Sequence, residues 1–331
     1  MNATGTTNAT GRPVRRLTVT DILRMHADGE QLPMLTAYDY PTARILDEAG
    51  IPMLLVGDSL GQVMLGYDST VRVTMTEMLH HTAAVVRGTR RALVIGDMPF
   101  LSYASTDDAV ANAGRFLREA GATAVKVEGG VRSTRTIEAI VRAGIPVMGH
   151  IGWTPQSEHG MGGKVRVQGK NRESARALLS DAIAIQEAGA FAMVLELIPE
   201  QLAATITSRL RIPTIGIGAG AGCSGQVQVI TDLLGMGDFS PRHARRYADL
   251  LGAIRSAAET WAADVKVGTF PGPAETVRMD EGTLNEVLGR TPEDRASREP
   301  RAGDQAGDQA GDRADGRADR LGAGIPLDRD L

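Results

Sequence analysis

Short apolar runs alternate along this chain with longer stretches of helical period. Residues 33–37, 53–56, 92–95, 124–127, 146–148, 191–195 and 213–217 are short runs dominated by apolar residues. Runs of that length, bounded by glycine or polar residues, suit strands buried on both faces. Between them, residues 40–49, 74–87, 106–120, 131–143, 171–188 and 199–210 read as helices. Gly50, Gly88, Gly121, Gly144 and Gly189 follow five of these. Glycine in that place takes a left-handed conformation and turns the chain back to the sheet.

Strands that alternate with helices form a parallel sheet with right-handed crossovers. About eight such units in roughly 250 residues point to the α/β class and a (β/α)8 TIM barrel. An open doubly wound sheet is the alternative, because the last unit is weakly marked. Residues 226–234 read as helix, the eighth strand is expected near 239–244, and 248–265 read as the final helix. Residues 18–25 form a helix ahead of the first strand, capped by Thr18 or Thr20 and placed to plug the bottom of the barrel. The expected organisation is a disordered arm over 1–16, a barrel over 17–275 and a disordered tail over 276–331. The tail carries Gly-Asp-Gln-Ala and Gly-Asp-Arg-Ala repeats with too little apolar surface to fold.

Composition narrows the function. The chain has 331 residues, 42% of them hydrophobic, enough for a large core. Its formal charge is −4 and its Lys and Arg residues are dispersed, so no nucleic-acid partner is expected. No apolar run reaches the ~18 residues of a membrane span. The first sixteen residues lack the apolar centre of a secretory signal. The single cysteine, Cys223, excludes an intrachain disulfide and suits a reducing compartment, so a cytoplasmic protein is expected. Cys223 is a weak candidate nucleophile.

The apolar runs end on polar groups: Asp58-Ser59, Asp97, Lys126 and Glu128, His150, and Glu196. In a parallel barrel all strand C-termini meet on one face, where active sites sit. Asp58, Asp97 and Glu128 are hard oxygen donors with no cysteine or histidine cluster beside them, a set suited to Mg²⁺ and not to zinc. Singly, each acid could cap a loop or pair with an arginine. Lys126 and Glu128, two apart, share a strand face. Lys126 is then an anion clamp for a carboxylate substrate, or the ion-pair partner of Glu128. Ser59 is a hydrogen-bond donor to the same substrate, or a helix cap. Glu196, at the end of a very apolar strand, is a general base if partly desolvated, or a glutamate held by a positive neighbour. His150 contacts the ligand or satisfies a backbone group. Such a set suits enolate formation from an α-keto acid, followed by addition to a carbon electrophile. The glycines of 216–220 resemble a phosphate loop only weakly; close backbone approach explains them better.

A run of ordered motifs then carries a resemblance: Thr36-Ala37-Tyr38-Asp39-Tyr40, Val56-Gly57-Asp58-Ser59-Leu60-Gly61, Gly96-Asp97-Met98-Pro99-Phe100, Val125-Lys126-Val127-Glu128-Gly129-Gly130, Gly149-His150-Ile151-Gly152 with Thr154-Pro155-Gln156-Ser157, Val167-Gln168-Gly169, and Ile215-Gly216-Ile217-Gly218-Ala219-Gly220. From about residue 17 to about 273 the chain resembles the ketopantoate hydroxymethyltransferases. The resemblance implies a phosphoenolpyruvate-type barrel. It implies hydroxymethyl transfer from 5,10-methylenetetrahydrofolate to 3-methyl-2-oxobutanoate, giving 2-dehydropantoate through a Mg²⁺-stabilised enolate. It also implies Mg²⁺ on Asp58, Asp97 and Glu128, substrate contacts from Asp58, Ser59, Asp97 and Lys126, Glu196 as proton acceptor, and a cytoplasmic homodecamer. Two other readings stand beside it: a Mg²⁺-dependent carbon–carbon lyase or mutase, and a non-catalytic barrel whose tail recruits a partner.

Overall fold

The computed structural model describes residues 15–290, which fall in two compact units divided at Thr260 and Trp261. In the first unit the elements run α1 (Val19–Ala27), β1 (Leu32–Thr36), α2 (Tyr40–Glu48), β2 (Met53–Val56), α3 (Leu60–Val63), α4 (Met75–Gly88), β3 (Leu93–Asp97), α5 (Thr106–Arg118), β4 (Ala124–Glu128), α6 (Thr134–Arg142), β5 (Val147–Gly152), α7 (Arg172–Glu187), β6 (Ala192–Glu196), α8 (Glu200–Arg209), β7 (Thr214–Ile217), β8 (Gly225–Gln228) and α9 (Ile230–Leu234). α10 (Leu250–Val267) follows. The strands close into one parallel barrel in chain order, β8 pairing with β1. The closed barrel excludes the open sheet.

Each strand divides its side chains between two layers, as a period of two requires. Met53 and Leu55, Leu93 and Ile95, Ala124, Met148, Ala192 and Val194 fill the interior with Ile22 of α1. Leu54 and Val56, Val94, Val125 and Val127, Met193 and Leu195 face the helices. Ile22 is fully buried among residues near the strand N-termini, so α1 is the expected plug. Thr18 caps it in a capping box with Asp21.

Three expectations need correction. The eighth strand is β8, not 239–244, and it occupies the start of the stretch read as helix. Gly225 belongs there because a Cβ would lie 2.0 Å from the Leu32 carbonyl oxygen. Residues 15 and 16 of the arm read as disordered make defined contacts: Arg15 pairs with Asp21, and Arg16 donates to the Val86 and Thr89 carbonyls. In the second unit, helix α11 (Glu281–Val287) lies inside the stretch read as disordered tail, and Trp261 meets Phe270 edge-on at 6.3 Å. The remainder of both end segments, 1–14 and 291–331, lies outside the described residues.

Candidate active site

The inward register of the interior layer continues upward into charge. Two residues beyond Ile95 stands Asp97; beyond Ala124 stand Lys126 and Glu128; beyond Met148, His150; beyond Val194, Glu196. Strand pairing then sets neighbours, with Asp97 beside Lys126 and Glu128 beside His150. Asp58 arrives from the loop after β2, its N–H donating to Asp97 Oδ2 at 3.1 Å. Asp58, Asp97, Lys126, Glu128 and His150 are all 5% exposed or less.

Lys126 Nζ lies 2.9 Å from Asp97 Oδ1 and 3.7 Å from Glu128 Oε1. Its closer partner is therefore Asp97, not the Glu128 on its own strand. His150 bridges the cluster to the base candidate: Nδ1 is 3.4 Å from Glu128 and Nε2 is 3.2 Å from Glu196. Glu196 keeps 17% of its side chain exposed and lines the cavity. It is thus mostly but not fully buried, and it is paired with His150. Ser59 also lines the cavity and shares a 2.9 Å hydrogen bond with the Tyr38 hydroxyl. Its side chain caps no helix, although it precedes α3.

Charge is unevenly balanced here. Burial, then repulsion from Asp97 and Glu128, raises the Asp58 carboxyl well above the usual range. Burial opposes ionisation of Glu128, but the Lys126 and His150 interactions outweigh it and hold that carboxyl low. Burial and the Lys126 charge oppose protonation of His150, yet its bonds to Glu128 and Glu196 raise its pKa to about 9. Lys126 is held protonated by Asp97, Glu128 and Asp58 against the effect of burial.

The donors offered to a metal are oxygens only. Asp97 Oδ1 and Glu128 Oε1 are buried, and among the described residues they are met only by the Lys126 and His150 ion pairs. Among the described residues no three His, Cys, Asp or Glu side chains form a ready metal cage. Hard oxygen donors of this kind suit Mg²⁺, which completes its shell with water and substrate.

The sequence reading gave no role to Gln156, which ties the acids together. It is 4% exposed, in a short 3₁₀ turn after β5 (Pro155–Ser157). Its N–H donates to Glu128 Oε2 at 3.1 Å, and its Nε2 donates to Asp58 Oδ2 and the Met98 carbonyl at 2.9 Å each. The Tyr103 hydroxyl donates to its Oε1. A neutral side chain in a turn carries no titratable signal. The clue was its place in the Thr154-Pro155-Gln156-Ser157 motif. Gly152, φ +99°, makes this turn possible: a Cβ there would lie 2.1 Å from the Glu196 carbonyl oxygen. Cys223 is buried against Gly216 and lines no part of the cavity, so it takes no catalytic role.

The cavity over this cluster has a volume of about 700 Å³. Among the described residues no helix is long and apolar enough to cross a membrane.

The sequence profile described as ketopantoate hydroxymethyltransferase matches residues 16–273. The 3-methyl-2-oxobutanoate hydroxymethyltransferase of Chloroflexus aurantiacus is 62% identical over 275 residues, covering 83% of this chain and 97% of that protein. The enzyme of the same name from Chloroflexus aggregans is 62% identical over 279 residues, covering 84% and 99%. Among solved structures, a 2,3-dimethylmalate lyase of the PEP mutase/isocitrate lyase superfamily is similar with a TM-score of 0.51 at 18% identity, covering 82% of this chain and 95% of that one. That last likeness concerns the fold alone.

Proposed function

The chain belongs to the ketopantoate hydroxymethyltransferase family, and from that premise we propose that it transfers a hydroxymethyl group from 5,10-methylenetetrahydrofolate to 3-methyl-2-oxobutanoate, giving 2-dehydropantoate. Membership makes it an enzyme, which sets aside the non-catalytic barrel. The observation that carries the reaction is the pairing, in one cavity, of a partly exposed carboxylate with a buried acid–lysine cluster.

In this reading Lys126 and Ser59 hold the keto acid, Lys126 as the charge facing its carboxylate and Ser59 as a hydroxyl donor already oriented by Tyr38. Asp58, Asp97 and Glu128 would hold Mg²⁺, which when bound supplies stabilisation for the negative charge that develops on the keto oxygen. Glu196 takes the proton from C3 of the keto acid. Its tie to His150 fixes its carboxylate while leaving it open to the cavity. The barrel wall beneath is apolar, with Val194 and Leu55 lining the cavity. The nucleophilic carbon then bonds to the one-carbon unit of the donor, water supplies the hydroxyl oxygen, and that unit's two bonds to folate nitrogen break; the proton taken from C3 and one from the water end on those nitrogens as tetrahydrofolate leaves. A cytoplasmic homo-oligomer belongs to the same proposal. The support for the oligomer is α10, which has no buried residue and leaves Ile254, Trp261 and Val265 between 45% and 57% exposed.

The test is solvent deuterium exchange at C3 of 3-methyl-2-oxobutanoate, with Mg²⁺ and without donor, followed by product analysis with 5,10-methylenetetrahydrofolate. Glu196→Gln should lower exchange by roughly 10²–10⁴-fold while keto acid binding persists. No exchange in the wild type would sink the enolising reading. Exchange without donor-dependent product would favour a carbon–carbon lyase or mutase instead.

A further inference from the structure

A cavity of about 700 Å³ is sized for a drug-like molecule, far more than a small keto acid fills. Its walls are not alike. The charged residues come from the β2 to β6 side: Asp58, Asp97, Lys126, Glu128, His150 and Glu196. In an eight-strand barrel closed in chain order, β8 stands across from β4. On that far side Leu197, Ile217, Val229 and Pro241 present an apolar wall. Within it stands one acid, Asp232, on the short helix after β8.

Asp232 is half-buried, and its carboxylate accepts no hydrogen bond from the described residues. Burial raises its pKa above the ordinary carboxylate range, and the His243 and Arg246 charges only partly offset this. A desolvated carboxylate without donors is costly unless a ligand supplies them. Two rim loops add cations to the cavity lining. Arg166 lies in a loop pinned by Gln168, whose N–H donates to the Leu197 carbonyl at 2.8 Å. Arg242 precedes His243, which packs over Gly218, φ +64°, and Gln228 Nε2 holds the Arg245 carbonyl at 2.6 Å. Leu197 itself turns with φ +48°, a conformation rare outside glycine. It presents its side chain to the cavity directly after the base, Glu196.

We propose that this far wall is the donor subsite. The flat aminopyrimidinone of a reduced folate lies on Leu197, Ile217 and Val229. Asp232 accepts its two adjacent N–H groups, and Arg166 and Arg242 meet its glutamate carboxylates. The proposal rests on the reading above that the donor is 5,10-methylenetetrahydrofolate. It places Glu196 at the seam between the two substrates, where a carbanion made on one side meets the one-carbon unit held on the other.

The experiment compares wild type with Asp232→Asn, Asp232→Glu and Arg166→Ala/Arg242→Ala. The kcat/KM for 5,10-methylenetetrahydrofolate should fall tenfold or more in Asp232→Asn and recover in part in Asp232→Glu. The KM for keto acid, read by donor-free C3 exchange, should not move with it. The double arginine variant should lose affinity for methylenetetrahydrofolate, and more for its triglutamate, but not for a tetrahydropterin lacking glutamate. Donor kcat/KM within twofold of wild type in Asp232→Asn overturns the subsite alone. A wild type that exchanges C3 yet makes no product from the folate donor overturns the folate reading and the subsite with it.

Discussion

The barrel buries an aspartate at each end, and the two are opposites. At the bottom, Asp21 is 3% exposed and has every lone pair used. It accepts from Arg15 at 2.6 and 2.7 Å, from the Thr18 N–H and hydroxyl at 2.9 and 2.8 Å, and from Arg24 at 3.1 Å. The Arg15 and Thr18 hydrogen bonds hold its carboxyl far below the ordinary range. At the top, Asp58 is 5% exposed and has one side-chain donor, Gln156, while Asp97 and Glu128 press negative charge on it. Its carboxyl is driven the other way. An acid that the chain satisfies completely serves the fold. An acid that the chain crowds and leaves with few donors is a candidate for a functional site.

The sharpest way to break this contrast is at Gln156. Gln156→Leu removes the one donor to Asp58 and strands the Tyr103 hydroxyl and the Met98 carbonyl. Removing a group that orients metal-holding carboxylates costs about 10–100-fold in metal affinity. The expected outcome is a matching rise in the Kd for Mn²⁺, measured by direct titration in the absence of substrate, together with a higher Mg²⁺ requirement for C3 exchange. An unchanged Kd would show that Asp58 needs no such hold.

At the other end the effect is smaller and falls on stability. Asp21→Asn keeps the shape but loses the charge that gathers Arg15, Arg24 and the capping box of α1. A loss of about 1–2 kcal/mol is expected from a cap with charge-assisted bonds. The sign with pH follows from the depressed carboxyl. Its contribution is whole above the unfolded-state value of about 4 and fades as pH falls toward the lower folded-state value. Denaturant titrations should therefore show the widest gap between wild type and variant at neutral pH, closing below pH ~4. A gap that widened in acid would reverse the assignment.

The same contrast explains what could be read without coordinates. Asp97, Lys126 and Glu128 stand at the ends of apolar runs, and the pleat gives Lys126 and Glu128 one face. The barrel and its charged mouth were legible for that reason. β8 was not. It has four residues, Gly-Gln-Val-Gln, of which only Val227 enters the interior cluster, and its glutamine side chains reach out to the Gly220 and Arg245 carbonyls. A strand whose register depends on a glycine fitting under Leu32 has no apolar run to announce it. Gln156 and the His150 bridge were missed for a related reason. Their roles exist only through partners far away in sequence, Asp58 at 98 positions' separation for Gln156, and no local pattern encodes that.

The smallest effect is also the most discriminating, because its sign is reversed. Asp58→Asn removes one of the mutually repelling buried carboxylates and leaves an amide of the same shape beside Gln156 and Asp97. A residue kept for function at the expense of the fold should yield stability when replaced. The metal-free variant is therefore expected to gain up to about 1 kcal/mol over metal-free wild type in denaturant titration, the direction opposite to Asp21→Asn. Mg²⁺ should then invert the order. A ligand that binds the folded state at 100 times its Kd adds about 2.7 kcal/mol, and wild type alone would collect it. If Asp58→Asn destabilised the metal-free protein as Asp21→Asn does, the upper acids would be structural like the lower one, and the proposal that they hold a cation would fail.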